Sequence, residues 1–394
     1  MKTAAVIAEF NPFHNGHAFL LEKARALTNA DCVLALMSGN FVQRGEPALT
    51  DRHTRAMMAL SSGADLVLSS PTGVVLSSAE GYAEGSLKLL SSLGTVDYLV
   101  FGSECGDIRA LTACAEALLH EDEAFKIKLM EGLKSGLSFP RARAEALPEF
   151  AELLAGPNNI LGIEYIKAVL KYDLPIQPVT VARTGNAHNS SFVAGNYASA
   201  SYIRKQILAE GTSYNDLIPS PAVSSLTAYL GEHVPLSADD FSFPLALALM
   251  KARSAKELAS FKNVTPALAK TIFNSRDSFV TFTQFAELVK SKSLTRTAVN
   301  RALMSIALML TSSASPDDPG LFAHVLGFRE QVRPLLSELT SVSKIPVIIR
   351  PSRETSLPPS FLRETELSDL YNLIRAQKEK KPLVRTMSHR LLTV

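Results

Sequence analysis

The sequence predicts an α/β protein: a doubly wound parallel sheet in the N-terminal half, followed by a second, mostly α-helical C-terminal domain. Short apolar runs of strand length alternate with helical patterns from residue 4 to residue 181, which is typical of a parallel sheet wrapped by helices. The strand-like runs are apolar almost throughout, as expected for strands that are buried on both faces. Beyond about residue 212, Leu- and Ala-rich helical segments predominate.

The N-terminal half is organised as five predicted strands separated by predicted helices. Each strand is a short apolar run, and each helix shows apolar residues at helical spacing. Because the two kinds of element alternate, consecutive strands are expected to lie parallel and to be joined by helical crossovers. The predicted strands span residues 4–8, 32–37, 65–68, 98–101 and 176–181, and the helices span 17–27, 55–61, 78–92, 108–119, 124–134 and 160–171.

The C-terminal half is predicted to begin after a connector that contains Pro219 and Pro221. We expect a domain boundary that divides the chain into residues 1–211 and 212–394. No internal repeat is evident in either part. Helices are expected at 245–252, 267–274, 282–290, 297–310 and 366–378, with one late strand at 345–349 and a Ser-, Asp- and Pro-rich loop at 312–319.

Composition excludes several classes of protein. Lys and Arg number 40 against 38 Asp and Glu, and a net charge of +2 does not by itself indicate a nucleic-acid partner. No run approaches the length of a membrane span, and Glu9 interrupts the N-terminus too early for a signal peptide. The three cysteines, Cys32, Cys105 and Cys114, match no zinc-binding spacing. These observations predict a cytoplasmic protein with reduced thiols.

The segment after the first predicted strand carries the strongest chemical signal. Residues 9–17, EFNPFHNGH, form a polar turn that leads into a helix starting near Gly16. Parallel α/β sheets bind ligands at the carboxyl ends of their strands, and a helix N-terminus there offers unpaired N–H groups and a partial positive charge. With His14 and His17 beside it, this helix start suits a triphosphate. Out of context, such a pair is more often a surface or capping feature, and no third residue completes a metal site.

The segment resembles the HxGH signature of the nucleotidyltransferase superfamily, and the resemblance extends along the chain. Residues 9–17 are similar to the opening of the bacterial tRNA(Met) cytidine acetate ligase family. Further blocks similar to that family follow in order: MSGNFVQRGEP at 37–47, FGSE at 101–104, PNNILG at 157–162 and AR at 182–183. The match is dense in the N-terminal half and thin in the C-terminal half.

The resemblance implies a two-step reaction. ATP and acetate form acetyl-adenylate and pyrophosphate, and the acetyl group then passes to the N4 amine of the wobble cytidine of elongator tRNA(Met), giving N4-acetylcytidine. Acetate is ionised at neutral pH, so the first step needs no general base. It needs charge neutralisation and in-line positioning, which we assign to the catalytic pair His14 and His17, the helix N-terminus and Mg²⁺. The resemblance implies neither a membrane nor an obligate protein partner.

The resemblance also implies which residues bind ATP. Gly102 ends a predicted strand and would let the nucleotide approach the backbone, although a glycine is also common at ordinary strand ends. Either Asn158 or Asn159 would contact ATP, but both are also good helix N-caps, and Arg183 would grip a phosphate. The predicted set comprises Ile7, Ala8, Glu9, Phe10, Asn11, Pro12, Phe13, His14, Asn15, Gly16, His17, Ala18, Phe19, Leu20, Gly102, Asn158, Asn159, Arg183 and Thr184.

The loop at 37–47 offers further candidates for anion binding. Its residues Asn40, Gln43 and Arg44 follow the second predicted strand, so they would face a ligand at the sheet edge and hold acetate, phosphate or the incoming nucleotide. An ordinary surface loop is the competing interpretation. The nearby basic residues Arg52 and Arg55 are candidates for RNA phosphates, or else exposed helix charges.

The segment SASYIR at 199–204 resembles the Ser/Thr-rich helix start of related nucleotidyltransferases. In those proteins hydroxyl and backbone N–H groups hold the β and γ phosphates. The corresponding candidates for phosphate or acetate are Ser199, Ser201 and Arg204. Ser201 stands where the family commonly has Thr, which keeps the hydroxyl, and plain helix capping is the alternative.

The C-terminal half carries two basic clusters that the small net charge conceals. Residues 290–301 contain no acidic residue, and residues 375–390 contain Glu379 as the single acid. Such clusters bind polyanions by releasing counterions, although a charge run is often only a solvated face. The resemblance makes them candidates for tRNA contacts: Lys290, Lys292, Arg296, Arg301, Lys380 and Lys381.

Two other functions remain open at this point. A small-molecule adenylyltransferase would use the same histidine pair, but its attacking group would be a phosphate, and such enzymes are often one compact domain. A non-catalytic RNA- or nucleotide-binding protein would not require both histidines.

Overall fold

The computed structural model describes residues 1–183, 196–209, 214–312, 320–353 and 356–394. Ten strands and the helices between them are defined there by hydrogen bonding. The strands are β1 (Thr3–Ala8), β2 (Cys32–Ser38), β3 (Phe41–Val42), β4 (Glu46–Pro47), β5 (Leu66–Ser70), β6 (Tyr98–Ser103), β7 (Gln177–Ala182), β8 (Ala323–Phe328), β9 (Val347–Ile348) and β10 (Leu392–Thr393).

The α-helices of the described residues confirm most of the predicted ones, with shifted ends. They are α1 (Asn15–Thr28), α2 (Arg52–Ser61), α3 (Thr72–Val75), α4 (Ala79–Ser92), α5 (Ile108–Leu119), α6 (Glu123–Lys134), α7 (Phe139–Ala146), α8 (Pro157–Lys171), α9 (Ala200–Leu208), α10 (Ser220–Glu232), α11 (Ser242–Lys251), α12 (Ala255–Leu258), α13 (Pro266–Ser275), α14 (Phe282–Leu288), α15 (Arg296–Ala307), α16 (Arg333–Val342) and α17 (Pro359–Glu379).

A mixed sheet with the strand order β10-β8-β5-β2-β1-β6-β7 forms the centre of the protein, and β9 pairs with β8. The five strands predicted from the sequence, β1, β2, β5, β6 and β7, pair in parallel. The predicted α/β fold class with a largely parallel sheet is therefore confirmed. The late strand predicted at 345–349 is the short β9.

The sheet differs from the prediction at β8, which runs antiparallel to β5. The sequence did not predict this strand because His324 and Gly327 interrupt its apolar run and its neighbours are helical. With β8, β9 and β10, the chain after residue 212 also contributes to the sheet. The domain boundary at 211/212 stays a prediction, and most of the loop predicted at 312–319 lies outside the described residues.

Apolar side chains on the two faces of the sheet support two separate helical layers. Leu34 of β2 belongs to a buried cluster with residues of α4, α5, α8 and α16, whereas the preceding residue, Val33, packs with α1, α2, α9 and α10. This alternation follows from the two-residue period of a strand. Among the described residues, no helix is both long and apolar enough to cross a membrane.

A third apolar cluster forms the helical region made by α11 to α15 together with α17. It reaches the sheet through Phe41 of the β3–β4 hairpin and through Tyr371 of α17, whose rings meet at 6.2 Å. The Tyr371 hydroxyl also donates to the carbonyl of Ala48 at 2.9 Å. The helical region is thus packed directly on the loops that leave the carboxyl end of the sheet.

Candidate active site

The two histidines of the HNGH turn form the N-terminal cap of α1. The Nδ1 of His14 accepts the N–H of Gly16 at 3.1 Å, and the N–H of His14 donates to the Nδ1 of His17 at 3.2 Å. Their rings stack with centroids 3.7 Å apart and planes 21° apart. This is a capping box built from two imidazoles, and it fixes both rings just beyond the carboxyl end of β1.

These hydrogen bonds also determine the protonation of both rings. Because each Nδ1 accepts an N–H, the proton of each neutral ring lies on Nε2. Burial, with the nearby charges of Arg183 and Arg204, lowers the pKa of His14 to about 3. Burial and the charges of His14 and Arg183 lower the pKa of His17 well below its usual value. At neutral pH both histidines are therefore uncharged hydrogen-bond donors through Nε2.

An aromatic layer supports the turn from below. Phe10 and Phe13 are fully buried in the core, and their ring centroids lie 4.9 Å apart. The ring of Phe10 also meets that of His17 at 4.9 Å. The backbone of Phe10 is left-handed, with φ of 47°, and the Asn11–Pro12 peptide is cis. The side chains of Phe10 and Phe13 thus pack against the imidazole of His17. We call the space beside the two imidazoles, at the carboxyl ends of β1, β6 and β7, the ligand region.

The asparagines of the turn are engaged with the protein itself. Asn11 is buried, and its Oδ1 accepts the N–H of Leu49 at 2.8 Å. The Nδ2 of Asn15 donates to the carbonyls of Asn196 and Asp216, each at 2.8 Å. These side chains tie the turn to neighbouring segments, so their predicted contacts with ATP would involve backbone atoms.

The last part of the predicted ATP-binding segment, residues 18–20, lies within α1. Ala18 and Phe19 line a cavity of about 1020 Å³ that extends along the helix to Arg25 and Gly63. Leu20 packs against the apolar cluster on this face of the sheet. This cavity begins at Asn15, within the histidine turn, and the N–H of Ala18 donates to the carbonyl of His14 at 3.2 Å, so a contact of these residues with ATP stays a prediction.

Arg204 of α9 reaches the histidine turn from a distant part of the chain. Its Nη1 donates to the carbonyl of Asn11 at 2.7 Å, and its Nη2 donates to the Oγ of Ser201 at 3.1 Å. Ser199 caps α9 by accepting a backbone N–H at 3.2 Å. The structure thus brings Arg204 beside His14 and holds Ser201 on the Arg204 guanidinium, and a phosphate or acetate contact remains a prediction for each of the three candidates.

Gly102 and Arg183 meet at the carboxyl ends of β6 and β7. The N–H of Arg183 donates to the carbonyl of Ser103 at 3.0 Å, and a Cβ on Gly102 would lie 3.3 Å from the Cγ of Arg183. Arg183 is exposed, yet its charge lowers the pKa of both histidines. Partial burial of the guanidinium lowers the pKa of Arg183 itself, and its charge acts on the imidazole pair. Thr184, predicted to bind ATP, lies outside the described residues.

The structure distinguishes Asn158 from Asn159. The Oδ1 of Asn159 accepts the N–H groups of Glu104 and Cys105 at 2.9 and 3.2 Å, and this side chain is buried. Asn158 is half-buried, and its Nδ2 donates to the Oε1 of Glu104 at 2.6 Å. Among the described residues, no hydrogen bond uses the Oδ1 of Asn158. Asn159 is thus fixed inside the protein, and Asn158 keeps an oxygen for a ligand.

Glu104 is an organising residue that the sequence analysis missed. Its Oε1 also accepts the N–H of Asn158 at 3.1 Å, and its Oε2 accepts the N–H of Asn159 at 2.7 Å. The carboxylate therefore caps the start of α8, and both of its oxygens accept N–H groups of that helix. The FGSE block was the available signal, but its partner lies 54 positions away in the sequence.

The loop at 37–47 forms the β3–β4 hairpin next to the histidine turn. The N–H of Gln43 donates to the Oε1 of Glu9 at 2.9 Å. The Oδ1 of Asn40 accepts the first N–H of α2 at 3.0 Å, and Asn40 is buried. Arg44, at the tip, is exposed. Arg44 is thus the candidate of this loop that stays open to a ligand, whereas Asn40 serves to hold α2.

Arg52 and Arg55, proposed from the sequence as RNA contacts, are buried, so that prediction is wrong. Arg55 is fully buried and donates to backbone carbonyls just after β1 and at the end of β2, at 2.7 and 3.0 Å. Arg52 is 1% exposed. Arg375, from the basic tail, is also buried and pairs with Asp51 at 2.9 Å. The guanidinium groups of Arg55 and Arg375 stabilise the loops at the sheet edge.

The remaining tRNA candidates lie on the surface of the helical region. Lys290, Lys292, Lys380 and Lys381 are exposed. Arg296 is half-buried and forms an ion pair with a glutamate of α14. The first two lysines precede α15, the helix that packs on the β3–β4 hairpin, whereas the last two end α17. The first cluster is therefore connected to the histidine turn through α15.

Known proteins are similar to this chain in both sequence and fold. The family described as HIGH Nucleotidyl Transferase matches residues 1–385. A tRNA(Met) cytidine acetate ligase of Acetivibrio thermocellus is 36% identical, with 98% of this chain and 97% of the relative covered. A protein of the same name from Thermoanaerobacter sp. (strain X514) is 36% identical over 95% of each chain.

Two solved structures match the chain over its whole length. A crystal structure of Thermotoga maritima TmcAL bound with alpha-thio ATP has a TM-score of 0.86 at 29% identity, with 100% of both chains covered. The apo form of that protein has a TM-score of 0.88 at 28% identity, again with full coverage. The sheet and the helical region are therefore both shared with a protein crystallised with an ATP analogue.

Proposed function

The chain belongs to the HIGH nucleotidyltransferase family, and we propose that it is a tRNA(Met) cytidine acetate ligase, an ATP-dependent enzyme that modifies tRNA. The observation that carries the proposal is the extent of the similarity, because relatives of that name align with 98% and 95% of this chain at 36% identity. A structure of the same fold, at 29% identity, contains alpha-thio ATP. An enzyme that acts on tRNA would work in the cytoplasm.

The first step joins acetate to the α-phosphate of ATP. An oxygen of acetate attacks the α-phosphorus, the bond to the β-phosphate oxygen breaks, and pyrophosphate leaves with the bonding electrons. Since acetate is already ionised, the main requirement is stabilisation of negative charge on the phosphate oxygens. The Nε2–H groups of His14 and His17 and the N-terminus of α1 suit this requirement, and Arg183 and Arg204 add positive charge nearby.

Neutral imidazoles are well matched to that task. A donor that carries no charge before the reaction does not bind the ground-state triphosphate as strongly as a cation would, yet it strengthens its hydrogen bond as charge develops. The capping bonds to Gly16 and between the two histidines hold both rings in position beforehand. Gly102, Asn158 and Arg183 would hold the rest of the nucleotide at the ends of β6 and β7.

The second step passes the acetyl group from the adenylate to the N4 amine of the wobble cytidine, and AMP leaves. Such a base must be unstacked from its loop to reach the acyl carbon. Residues 212–394 would bind the tRNA largely through its backbone, with the helical region next to the hairpin. Arg44 and Arg301 border this region, and the exposed lysines extend it over the surface.

Magnesium would accompany ATP in this reaction. Within the described residues, no group of three or more His, Cys, Asp or Glu side chains is arranged to hold a metal ion. The residues therefore do not fit a cation site built by the protein alone, and Mg²⁺ bound to a nucleotide takes most of its ligands from phosphate and water. No step described above depends on that ion.

The proposal is tested by separating the two steps. ATP–pyrophosphate exchange should require acetate, and acetyl transfer should require a tRNA(Met) transcript with cytidine at the wobble position; a transcript with uridine there is the control. His14→Ala and His17→Ala should each lower exchange by about 10²–10³-fold, the usual effect of removing one charge-stabilising donor. His120→Ala, at an exposed histidine that ends α5, is the matched control.

Other outcomes would identify the alternatives. Exchange that needs a phosphorylated metabolite instead of acetate would indicate a small-molecule adenylyltransferase. Binding of tRNA without exchange under any condition would indicate a non-catalytic protein. Full exchange in either histidine variant would show that the assigned role of the pair is wrong.

A further inference from the structure

The carboxylate of Glu9 stands at the carboxyl end of β1, next to the histidine turn, with one oxygen committed and one available. Its Oε1 accepts the N–H of Gln43 at 2.9 Å, and its backbone carbonyl accepts from Arg55 at 2.7 Å. The side chain is half-buried. Among the described residues, no hydrogen bond uses Oε2. The carboxylate is thus held in place by Oε1 while Oε2 remains an open acceptor.

Two tyrosines and two arginines surround the carboxylate of Glu9. Burial raises the pKa of Tyr82 and of Tyr165, and the negative charge of Glu9 raises both further, so the two hydroxyls lie near the carboxylate. The charges of Arg55 and Arg204 also interact with Glu9. The carboxylate therefore lies among two tyrosines and two arginines, directly before the histidine turn.

The second step of the proposed reaction requires a proton acceptor. As the N4 nitrogen forms its bond to the acyl carbon, the carbonyl electrons move to oxygen; the C–O bond to AMP then breaks as the carbonyl re-forms. The amine begins with two hydrogens and the amide product keeps one. One proton must therefore leave, and a positioned base that takes it during the attack accelerates this kind of step.

The histidine pair cannot supply that base. Each Nδ1 lone pair accepts a backbone N–H, and each Nε2 carries the ring proton. The pKa of His14, about 3, shows how weakly this ring takes up a second proton. Both rings are arranged to donate to phosphate, so the proton of the amine must go elsewhere.

Two other carboxylates near the turn, Glu104 and Glu46, also accept hydrogen bonds. Both oxygens of Glu104 accept N–H groups at the start of α8. The Oε1 of Glu46 accepts from the Nδ2 of Asn300 at 3.3 Å, across the interface with α15. Glu9 and Glu46 thus each keep one oxygen without a hydrogen bond among the described residues, and Glu9 is the one that directly follows β1 and precedes the histidine turn.

We propose that the Oε2 of Glu9 accepts a hydrogen bond from the N4 amine of the target cytosine and takes its proton as the acetyl group is transferred. The inference rests on the proposed function and extends it to the second step. A carboxylate is the natural partner of the cytosine amino group in base recognition. The same contact would favour cytosine over uracil, which presents a carbonyl oxygen at that position and would face the carboxylate with like charge.

The test compares the two half-reactions in Glu9→Gln. The amide keeps the size of the side chain and an oxygen for the N–H of Gln43, but it removes the basic group. We expect single-turnover acetyl transfer to tRNA to fall about 10²-fold or more beyond any change in acetate-dependent exchange, within the range of general-base effects. Glu9→Asp, which keeps the base but shortens its reach, should recover part of the transfer rate.

Glu46→Gln is the matched control, because it removes a neighbouring carboxylate charge and leaves an oxygen for Asn300. It should change exchange and transfer by the same factor. Equal losses in both half-reactions of Glu9→Gln, or an unchanged transfer rate, would overturn the inference, and the melting temperature of each variant separates these results from misfolding. Absence of acetate-dependent exchange in the unmodified protein would instead contradict the proposed function itself.

Discussion

The Nδ2 of Asn300 donates to the Oε1 of Glu46 at 3.3 Å, which joins α15 of the helical region to the β3–β4 hairpin. One residue further along α15, the Nη1 of Arg301 donates to the carbonyl of Gln43 at 3.4 Å. The same hairpin holds the carboxylate of Glu9. The helical region therefore contacts the hairpin that holds Glu9 through α15, and this interface is open to a direct test.

Gly45 is the position where that interface is most sensitive. Its φ of 78° is left-handed, and a Cβ there would lie 2.3 Å from the backbone nitrogen of Arg301. Since no side-chain rotation can relieve a clash with backbone, Gly45→Ala should lower the free energy of unfolding by about 2–4 kcal/mol, combining the left-handed and overpacking costs. Urea denaturation measures this change.

The control for that variant is Gly136→Ala. Gly136 has a φ of 90°, but nothing lies within 4 Å of an added Cβ. It should show only the backbone cost of about 1–2 kcal/mol. Transfer of acetyl to tRNA should fall in Gly45→Ala and not in Gly136→Ala; equal effects in the two variants would show that the hairpin interface is not important for the reaction.

The two asparagines at the start of α8 should behave differently when truncated. Asn159→Ala leaves two backbone N–H groups without their acceptor, at a cost of about 1–3 kcal/mol for a buried donor. Asn158→Ala keeps that loop and should mainly raise the KM for ATP. The melting temperature and the KM in exchange, measured for both variants, separate the effects, and a lower melting temperature for Asn158→Ala than for Asn159→Ala would contradict the assignment.

The neutral state of His14 has consequences for pH dependence. Burial, with the charges of Arg183 and Arg204, lowers its pKa from 6.5 to about 3. The ring therefore stays an uncharged donor through the neutral range, and kcat/KM for exchange should show no step near pH 6.5. A step there that disappears in His14→Asn would contradict the assigned protonation state.

The same shift affects stability with a definite sign. Because the folded-state pKa of His14 lies below that of the unfolded chain, the folded state binds fewer protons between the two values. The contribution of the neutral ring is thus complete above about pH 6.5 and is lost as the pH falls toward 3, at about 1.4 kcal/mol per pH unit. His14→Asn, which keeps an oxygen for the N–H of Gly16, should show a shallower loss in denaturation experiments between pH 7 and pH 5.

The parts of the site that follow one another in the sequence could be predicted from it. A buried strand, a polar turn and a helix start lie within the first seventeen residues, and their geometry depends on local hydrogen bonds such as that between His14 and Gly16. The strand ends that carry Gly102 and Arg183 could be predicted for the same reason, because parallel strands bring their carboxyl ends to one edge.

The parts that depend on distant partners could not. The segment around Arg52 and Arg55 has the charge pattern of an exposed helix start, and only the carbonyl groups beyond β1 and β2 explain why Arg55 is buried. Asn158 and Asn159 are equivalent helix-start residues in sequence, and Glu104 distinguishes them. β8 became a strand because β5 offers an edge for antiparallel pairing, although His324 and Gly327 weaken its own signal.

The exposed lysines before α15 provide a test of where tRNA binds. Lys290 and Lys292 are exposed and adjoin the helix that packs on the hairpin, so phosphates of a tRNA whose anticodon loop enters the ligand region would pass near them. The double variant Lys290→Ala/Lys292→Ala should weaken tRNA binding and reduce the slope of log affinity against log salt by about 1 for each lysine that contacts a phosphate. Acetate-dependent exchange without tRNA should change by less than twofold.

Two further double variants serve for comparison, one as a charge control and one as a test of the second basic cluster. Lys128→Ala/Lys134→Ala removes exposed charge from α6 and controls for a general loss of positive charge. Lys380→Ala/Lys381→Ala tests the second basic cluster, at the end of α17, where the Nζ of Lys381 already donates to the carbonyl of Glu232. Because that contact engages one of its two lysines, we expect a smaller change in the salt slope there than at Lys290 and Lys292. Equal salt slopes for the unmodified protein and for Lys290→Ala/Lys292→Ala would exclude the α15 side as the path of the tRNA.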